Sequence, residues 1–527
     1  MTRRARLFGV AAISVVALVV SCASSDTDES ATTTATAREL PPNQVVGLAL
    51  PENAVEVAVG ELDGLIDSLM SESGIPGMAV AVVHGGKTVY SKGFGVREAG
   101  RDERVDADTV FQLASVSKSL AATVIAHQVG TGSVEWETPI VSKLPWFALG
   151  DPYVTADVTI GDMFSHRSGL PDHAGDRLED MGFDRRQVLQ RLRLEPLDPF
   201  RITYQYTNFG VTAAAEAVAQ AAGTDWERLS NDTLYAPLGM TATSSRFDDF
   251  QARPNRAVGH MSVDGRWVAR AVRDPDAQSP AGGVSSSVRD MTRWLAMLLG
   301  EGEFGGTKIA PKAALLPAIT PQMISAPASA PDARAGFYGF GYNVSTTSAG
   351  RVTYSHSGAF SLGAATNFLV IPSADVAIVA LTNAAPIGVP ETLTAEFSDI
   401  LQYGKVTQDW RRLYKNAFAG MSSPEGELAG KPSPANPAPA RPLSSYVGSY
   451  ANDYWGPAAI TETGGALTLT IGPAGRTYPL RHWDADTFTF ELLDENAPPG
   501  TISRASFAGD TLTLEYFDDD GLGVFRR

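Results

Sequence analysis

The chain has a single cysteine in 527 residues, Cys22. No internal disulfide can form, and no cysteine-based metal site can be built. Lysine is scarce: nine residues, of which only Lys118 has a serine three positions before it. Basic side chains are outnumbered, 42 Lys and Arg against 59 Asp and Glu, for a net charge of −17. That balance argues against binding nucleic-acid backbones or an anionic membrane surface by bulk charge. No Gly-x-x-x-x-Gly-Lys-Ser/Thr string occurs, so a phosphate loop is not supported. The histidines show no metal-ligand spacing, and neither a metal nor another cofactor is expected.

What is present is an ordinary globular composition, 44% hydrophobic and 19% charged, in a chain long enough for two or three domains. Arg3, Arg4 and Arg6 precede the apolar run Leu7–Val20. That run falls short of the ~20 residues a membrane-spanning helix needs. It ends in Val19-Val20-Ser21-Cys22, which resembles a bacterial lipobox, and the resemblance implies a lipidated Cys22 as mature N-terminus. Residues 1–22 are therefore expected to be a lipoprotein signal peptide and 23–54 a flexible, Ser/Thr/Ala-rich tether. The protein is expected outside the cytoplasm of a bacterium, bound to the membrane by its lipid.

Leu62, Leu65, Ile66 and Leu69 recur at helical spacing, and Gly74 and Pro76 end that helix. MAVAVVH and KTVYSKGFG follow as a β-hairpin turning at Gly85-Gly86. From about Thr109 to Gly300 the pattern is mainly helical, closing with an amphipathic helix over Val288–Gly300. Three β runs then come in close succession, Arg351–Phe360, Ala365–Ser373 and Val376–Asn383. The economical arrangement joins the early hairpin to this meander in one antiparallel sheet, flanked by helices and an all-helical lobe: an α+β fold over residues 55–419. Residues 420–442 read as a Pro/Ala-rich linker, and 443–527 as short strands of a small all-β barrel.

Ser115 and Lys118 share one helix face, so the hydroxyl can meet the amine. An alcohol is a poor nucleophile until a neighbour takes its proton, and a buried lysine with a lowered pKa can do so. Alone, Ser-x-x-Lys is weak. Tyr206-Thr207-Asn208 adds a phenol that can relay a proton and an amide that can hold both lysine and substrate. The other Tyr-x-Asn strings, at Tyr414 and Tyr450, lie far along the chain in less suitable settings. His356-Ser357-Gly358, on the first meander strand, would let a substrate lie along the backbone, with the Ser115 and Ala359 amides as an oxyanion hole. His173-Ala174-Gly175 is set aside as a similar string in a polar loop. His166 is expected to hold its own loop by hydrogen bonds.

In this order the three motifs resemble the serine hydrolases related to class C β-lactamases, D,D-peptidases and esterases. VTIGDMFSHRSGLPDH and PAGGVSSSVRDMTRWL are similar to further stretches of that family, and the likeness runs from about Leu62 to Gln402. The last domain looks like the lipocalin-like module that often follows such hydrolases. The resemblance implies acylation of Ser115, proton shuttling by Lys118 and Tyr206, and substrate binding by Asn208, His356, Ser357, Gly358 and Ala359. The Ser-Asp-Asn and Lys-Thr-Gly strings of class A β-lactamases are absent. His356 stands where a lysine would, and a mostly neutral imidazole grips a carboxylate less firmly. A peptidase or esterase on D-amino-acyl peptides or small esters is thus expected ahead of a β-lactamase. A catalytically silent, cell-wall peptide-binding lipoprotein is the alternative of another class.

Overall fold

The computed structural model describes residues 48–270 and 272–527. The expected leader and most of the tether, Cys22 included, lie outside the described residues. The tether's last residues lie against the following domain: the Leu48 carbonyl accepts from Arg351 at 2.7 Å, and a short helix begins at Ala54.

An eight-stranded antiparallel sheet carries the first domain. Its strands are β1 (Gly77–His84), β2 (Lys87–Gly95), β3 (Met323–Ala326), β4 (Gly336–Tyr338), β5 (Asn343–Thr346), β6 (Val352–Phe360), β7 (Ala364–Ile371) and β8 (Val376–Thr382). They lie in the order β2-β1-β8-β7-β6-β5-β4-β3. The early hairpin does join the meander: β1 pairs with β8 from Met78↔Thr382 to His84↔Val376. β1 is almost wholly buried, because helices cover both of its faces. Val80 and Val82 meet α1 (Leu62–Ser73) and α6 (Val389–Tyr403) through Leu62, Ile66 and Phe397. Ala79, Ala81 and Val83 face a core shared with Trp294 and Leu295 of α5 (Val288–Leu299). Coverage on both sides explains a continuous apolar run where a half-exposed strand would alternate. Between hairpin and meander lie the nucleophile helix α2 (Ser117–Gly130), the short α3 (Asp176–Asp180) and α4 (Asn208–Ala222). Among the described residues no helix is long and apolar enough to cross a membrane.

The C-terminal module is a second eight-stranded antiparallel sheet with strands in chain order. A bridge between Ala451 and Arg526 brings its ends together into a nearly closed barrel. Its aromatics fill the interior: Tyr446, Phe488 and Phe507 pack with ring centroids 4.7–5.8 Å apart. The Pro/Ala-rich segment before it runs along the module, with Ile502 N donating to Glu425 O at 3.1 Å and Ala438 N to Asp484 at 2.6 Å.

Candidate active site

Ser115 sits in a 3₁₀ turn, Ala114–Val116, immediately before α2. Ala114 is in the left-handed region at φ 48°, a conformation a non-glycine residue adopts only where its surroundings enforce it. The turn is pinned on two sides. Leu113 N donates to Val284 O at 2.8 Å, and Val284 N donates to the Ser117 hydroxyl at 3.0 Å. On the other side Thr366 donates to Leu113 O at 2.7 Å. Gly358 of β6 lies so close that a Cβ there would stand 2.1 Å from Leu113 O and 2.3 Å from Thr366 Oγ1. The glycine of His-x-Gly is therefore required by the approach of the strand to the nucleophile turn.

Lys118 is fully buried. Its Nζ has three polar neighbours: Ser115 Oγ at 3.0 Å, Asn208 Oδ1 at 2.6 Å and Ala281 O at 3.0 Å. Charged, the amine gives one N–H to each oxygen; neutral, two N–H groups serve the amide and carbonyl oxygens and the lone pair can face the serine hydroxyl. Burial pushes the Lys118 pKa down to about 7, with the Asp176 charge pulling the other way. Asn208 is itself oriented, its Nδ2 donating to Asp176 Oδ2 at 2.7 Å. His173 Nδ1 meets the same carboxylate oxygen at 2.7 Å. Desolvation opposes the charged imidazole of His173, but Asp176 outweighs it and raises the pKa.

The Tyr206 phenol lies beside Ser115, and its ring lies 4.6 Å from Lys118 Nζ. Burial holds its pKa well above the usual tyrosine value despite the Ser115 contact, so it is protonated and suited to relaying a proton. His166 packs on Tyr206 and on Tyr338, with centroids 4.4 and 4.8 Å away. Its Nδ1 accepts from Thr207 N at 3.1 Å. That contact fixes a neutral imidazole, and burial keeps its pKa well below the ordinary histidine value.

His356 differs from the expectation. It is 4% exposed. Its Nδ1 donates to Ser357 O at 2.6 Å, and its Nε2 accepts from the Tyr338 hydroxyl at 2.7 Å. Burial, with Lys118 close by, pushes its pKa down to about 3. Both ring nitrogens are occupied and the ring is neutral, so it offers no positive charge to a substrate carboxylate. The Ser357 hydroxyl also turns away, accepting from Asn367 Nδ2 at 3.1 Å. What β6 does offer is an edge: β5 ends its pairing at Asn343↔Ser355, so His356–Phe360 are paired only with β7. Ser115, Lys118, Tyr206 and Asn208 are thus brought together, and Gly358 and Ala359 border them.

Asp176 was not singled out in the sequence and His173 was set aside as a polar-loop residue, because the residue they serve, Asn208, comes 32 positions after Asp176. Both also line a cavity of ≈ 800 Å³ shared with the C-terminal module, with Asp172, Glu495 and Tyr454 among its walls. Among the described residues no cluster of His, Cys, Asp and Glu could hold a metal ion.

An antiparallel sheet with helices on both faces, and a serine beside a buried lysine, define a serine hydrolase of the β-lactamase and penicillin-binding-protein type. The β-lactamase family model matches residues 62–399, and the chain belongs to that family. A second model, a domain of unknown function termed DUF3471, matches 432–516. The unguisins hydrolase ungD of Aspergillus violaceofuscus is 25% identical over 86% of this chain and 84% of its own. Penicillin-binding protein 4 of Amycolatopsis lactamdurans is 29% identical over 60% of this chain and 83% of its own. The octameric penicillin-binding protein homologue of Pyrococcus abyssi superposes with TM-score 0.58 at 20% identity, over 87% of this chain and 98% of that one.

Proposed function

We propose that the protein is an extracytoplasmic, lipid-anchored hydrolase that forms an acyl-enzyme on Ser115 with D-amino-acyl peptides or small esters. The observation that carries this is the Lys118 amine, buried and 3.0 Å from Ser115 Oγ. Lys118 takes the Ser115 proton as Oγ bonds to the substrate carbonyl carbon. The oxygen that becomes negative is met by the Ser115 and Ala359 amides, each such donor being worth ~10²–10³ in rate. The proton passes through Lys118 and Tyr206 to the leaving group as the scissile bond breaks. Water then attacks the ester carbon and frees the serine.

The neutral, fully bonded His356 favours substrates that carry no carboxylate beside the scissile bond. On this reading endopeptidase and esterase chemistry come ahead of β-lactam hydrolysis. Two relatives carry hydrolase names: unguisins hydrolase, and the Escherichia coli D-alanyl-D-alanine-carboxypeptidase/endopeptidase AmpH, 26% identical over 48% of this chain and 65% of its own, of whose two named activities only the endopeptidase one fits a site without a carboxylate grip.

The test treats the chain from Glu39 onward with a fluorophosphonate and, separately, a labelled penicillin, and maps adducts by mass spectrometry. An adduct on Ser115 with the fluorophosphonate is expected. Its absence with both reagents would sink the acyl-enzyme and leave the silent binder. For the anchor, Cys22→Ala should move the protein from the membrane to the soluble fraction of expressing bacteria; unchanged membrane association would refute lipidation.

A further inference from the structure

The C-terminal module reaches the end of the substrate strand. Its loop between Glu491 and Ile502 places Glu495 against the turn that joins β6 to β7. Ser361 N donates to Glu495 Oε1 at 2.8 Å, and Leu362 N to Oε2 at 3.2 Å. Ser361 is two residues past Ala359, on the stretch that no second strand supports. Across the turn Gly363, at φ 130°, lies against residues 259–260, where a Cβ would stand 2.2 Å from His260 N. The turn is therefore clamped from both sides, on one side by the hydrolase domain and on the other by the module.

The same loop holds a second part of the site. Asn496 Nδ2 donates to Asp180 Oδ2 at 2.6 Å, at the end of the helix whose first residue, Asp176, orients Asn208. Arg273 ties these pieces together: it pairs with Glu179 and Asp180, and its guanidinium lies 5.4 Å over the ring of Phe360, the last residue of β6.

The structure assigns to Glu495 the role of a positioning residue: its carboxylate, supplied by the C-terminal module, holds the Ala359 amide in place opposite the Ser115 turn. This rests on the acyl-enzyme reading. Two backbone N–H groups taken by the two oxygens of one carboxyl group fix both the position and the tilt of the turn. An oxyanion donor acts only on the charge that develops in the transition state. Displacing Ala359 should therefore lower kcat and leave KM nearly unchanged, whereas general loosening of the module would not discriminate.

The experiment compares Glu495→Ala, Glu495→Gln and Arg191→Ala in the full chain with a chromogenic ester. Arg191 also binds the module, donating to Tyr454 O at 2.9 Å, but does not touch the β6–β7 turn. In Glu495→Ala kcat should fall at least tenfold with KM within about threefold, and Arg191→Ala should keep the wild-type kcat. Glu495→Gln, which can accept one turn N–H but presents an NH₂ to the other, should fall in between; it decides the matter if the alanine variant does not fold. Wild-type kcat in a folded Glu495 variant, or an equal loss in Arg191→Ala, would overturn the assignment. Amide hydrogen exchange over 356–362 should quicken at least tenfold in Glu495→Ala, and this readout needs no turnover. If the wild type takes no adduct on Ser115 the hydrolase reading fails, while exchange unchanged in Glu495→Ala defeats the positioning role on its own.

Discussion

Lys118 can act as a base only while its amine is neutral. Its pKa, brought down to about 7 by burial, makes that form abundant near neutrality. Below that value the amine holds its own proton and cannot take one from Ser115; above it the base is free. kcat/KM for an ester should therefore rise with pH through a midpoint near 7, and a flat profile between pH 5 and 9 would refute Lys118 as the base. Lys118→Arg keeps the positive charge but cannot release it, so it should cost ~10²–10⁴ in kcat, the usual worth of a positioned base. This pair was legible in the sequence because three positions on one helical segment are a local relation. The function of His356 was not legible in the same way. Its neutrality comes from burial that only the assembled sheet provides and from the nearby Lys118, and the Tyr338 hydroxyl, 18 residues earlier, occupies its Nε2. Residue type and motif position alone suggested a weak carboxylate grip, and the folded chain leaves no grip at all.

At the scale of the element, the site is a strand laid against a turn. β6 can approach the Ser115 turn only because residue 358 has no side chain. Gly358→Ala would push a methyl into Leu113 O and Thr366 Oγ1, neither of which belongs to a flexible chain end. Overpacking of this kind costs ~1–3 kcal/mol. Here it would also move the Ser115 turn away from Ala359. Gly358→Ala should lower kcat at least tenfold and reduce Tm, both measured on purified protein; a variant with wild-type kcat would show that the strand can retreat without harm. The hairpin, the meander and helix Val288–Leu299 were readable from period and turn residues alone. β3, β4 and β5 were not. They are three or four residues long, at the sheet edge, in a stretch rich in Ala, Ser, Pro and Gly where no apolar alternation builds up. The Ser115 turn was read as a plain helix start. Its left-handed Ala114 is imposed by Val284 and Thr366, both far along the chain.

At the scale of the whole molecule, the junction between domain and module gathers carboxyls. Burial pushes Glu179 and Glu495 up to about 7 and Asp494 up to about 8, the last also through its neighbour Asp180. Elsewhere burial does the same to Glu195 and Glu391, both to about 7. A carboxyl raised in the folded chain keeps a proton that the unfolded chain, with a pKa of ~4, has already released. Stability is then lost as pH rises from ~4 towards 8. Three buried imidazoles, His166, His260 and His356, act in the opposite sense as pH falls below ~6.5, and so does the Lys118 amine above about 7, but the carboxyls outnumber them. The net charge of −17 adds self-repulsion as pH rises, with the same sign. Tm should therefore be highest near pH 5 and fall steadily to pH 8. Asp494→Asn isolates the junction's share, since an amide can donate to Asp180 without needing a bound proton. It should match the wild type at pH 5 and exceed it in Tm at pH 8, measured by calorimetry. A Tm equal to or below the wild type at pH 8 would mean that the Asp180–Asp494 contact carries no charge strain, and that the pH dependence arises elsewhere in the chain.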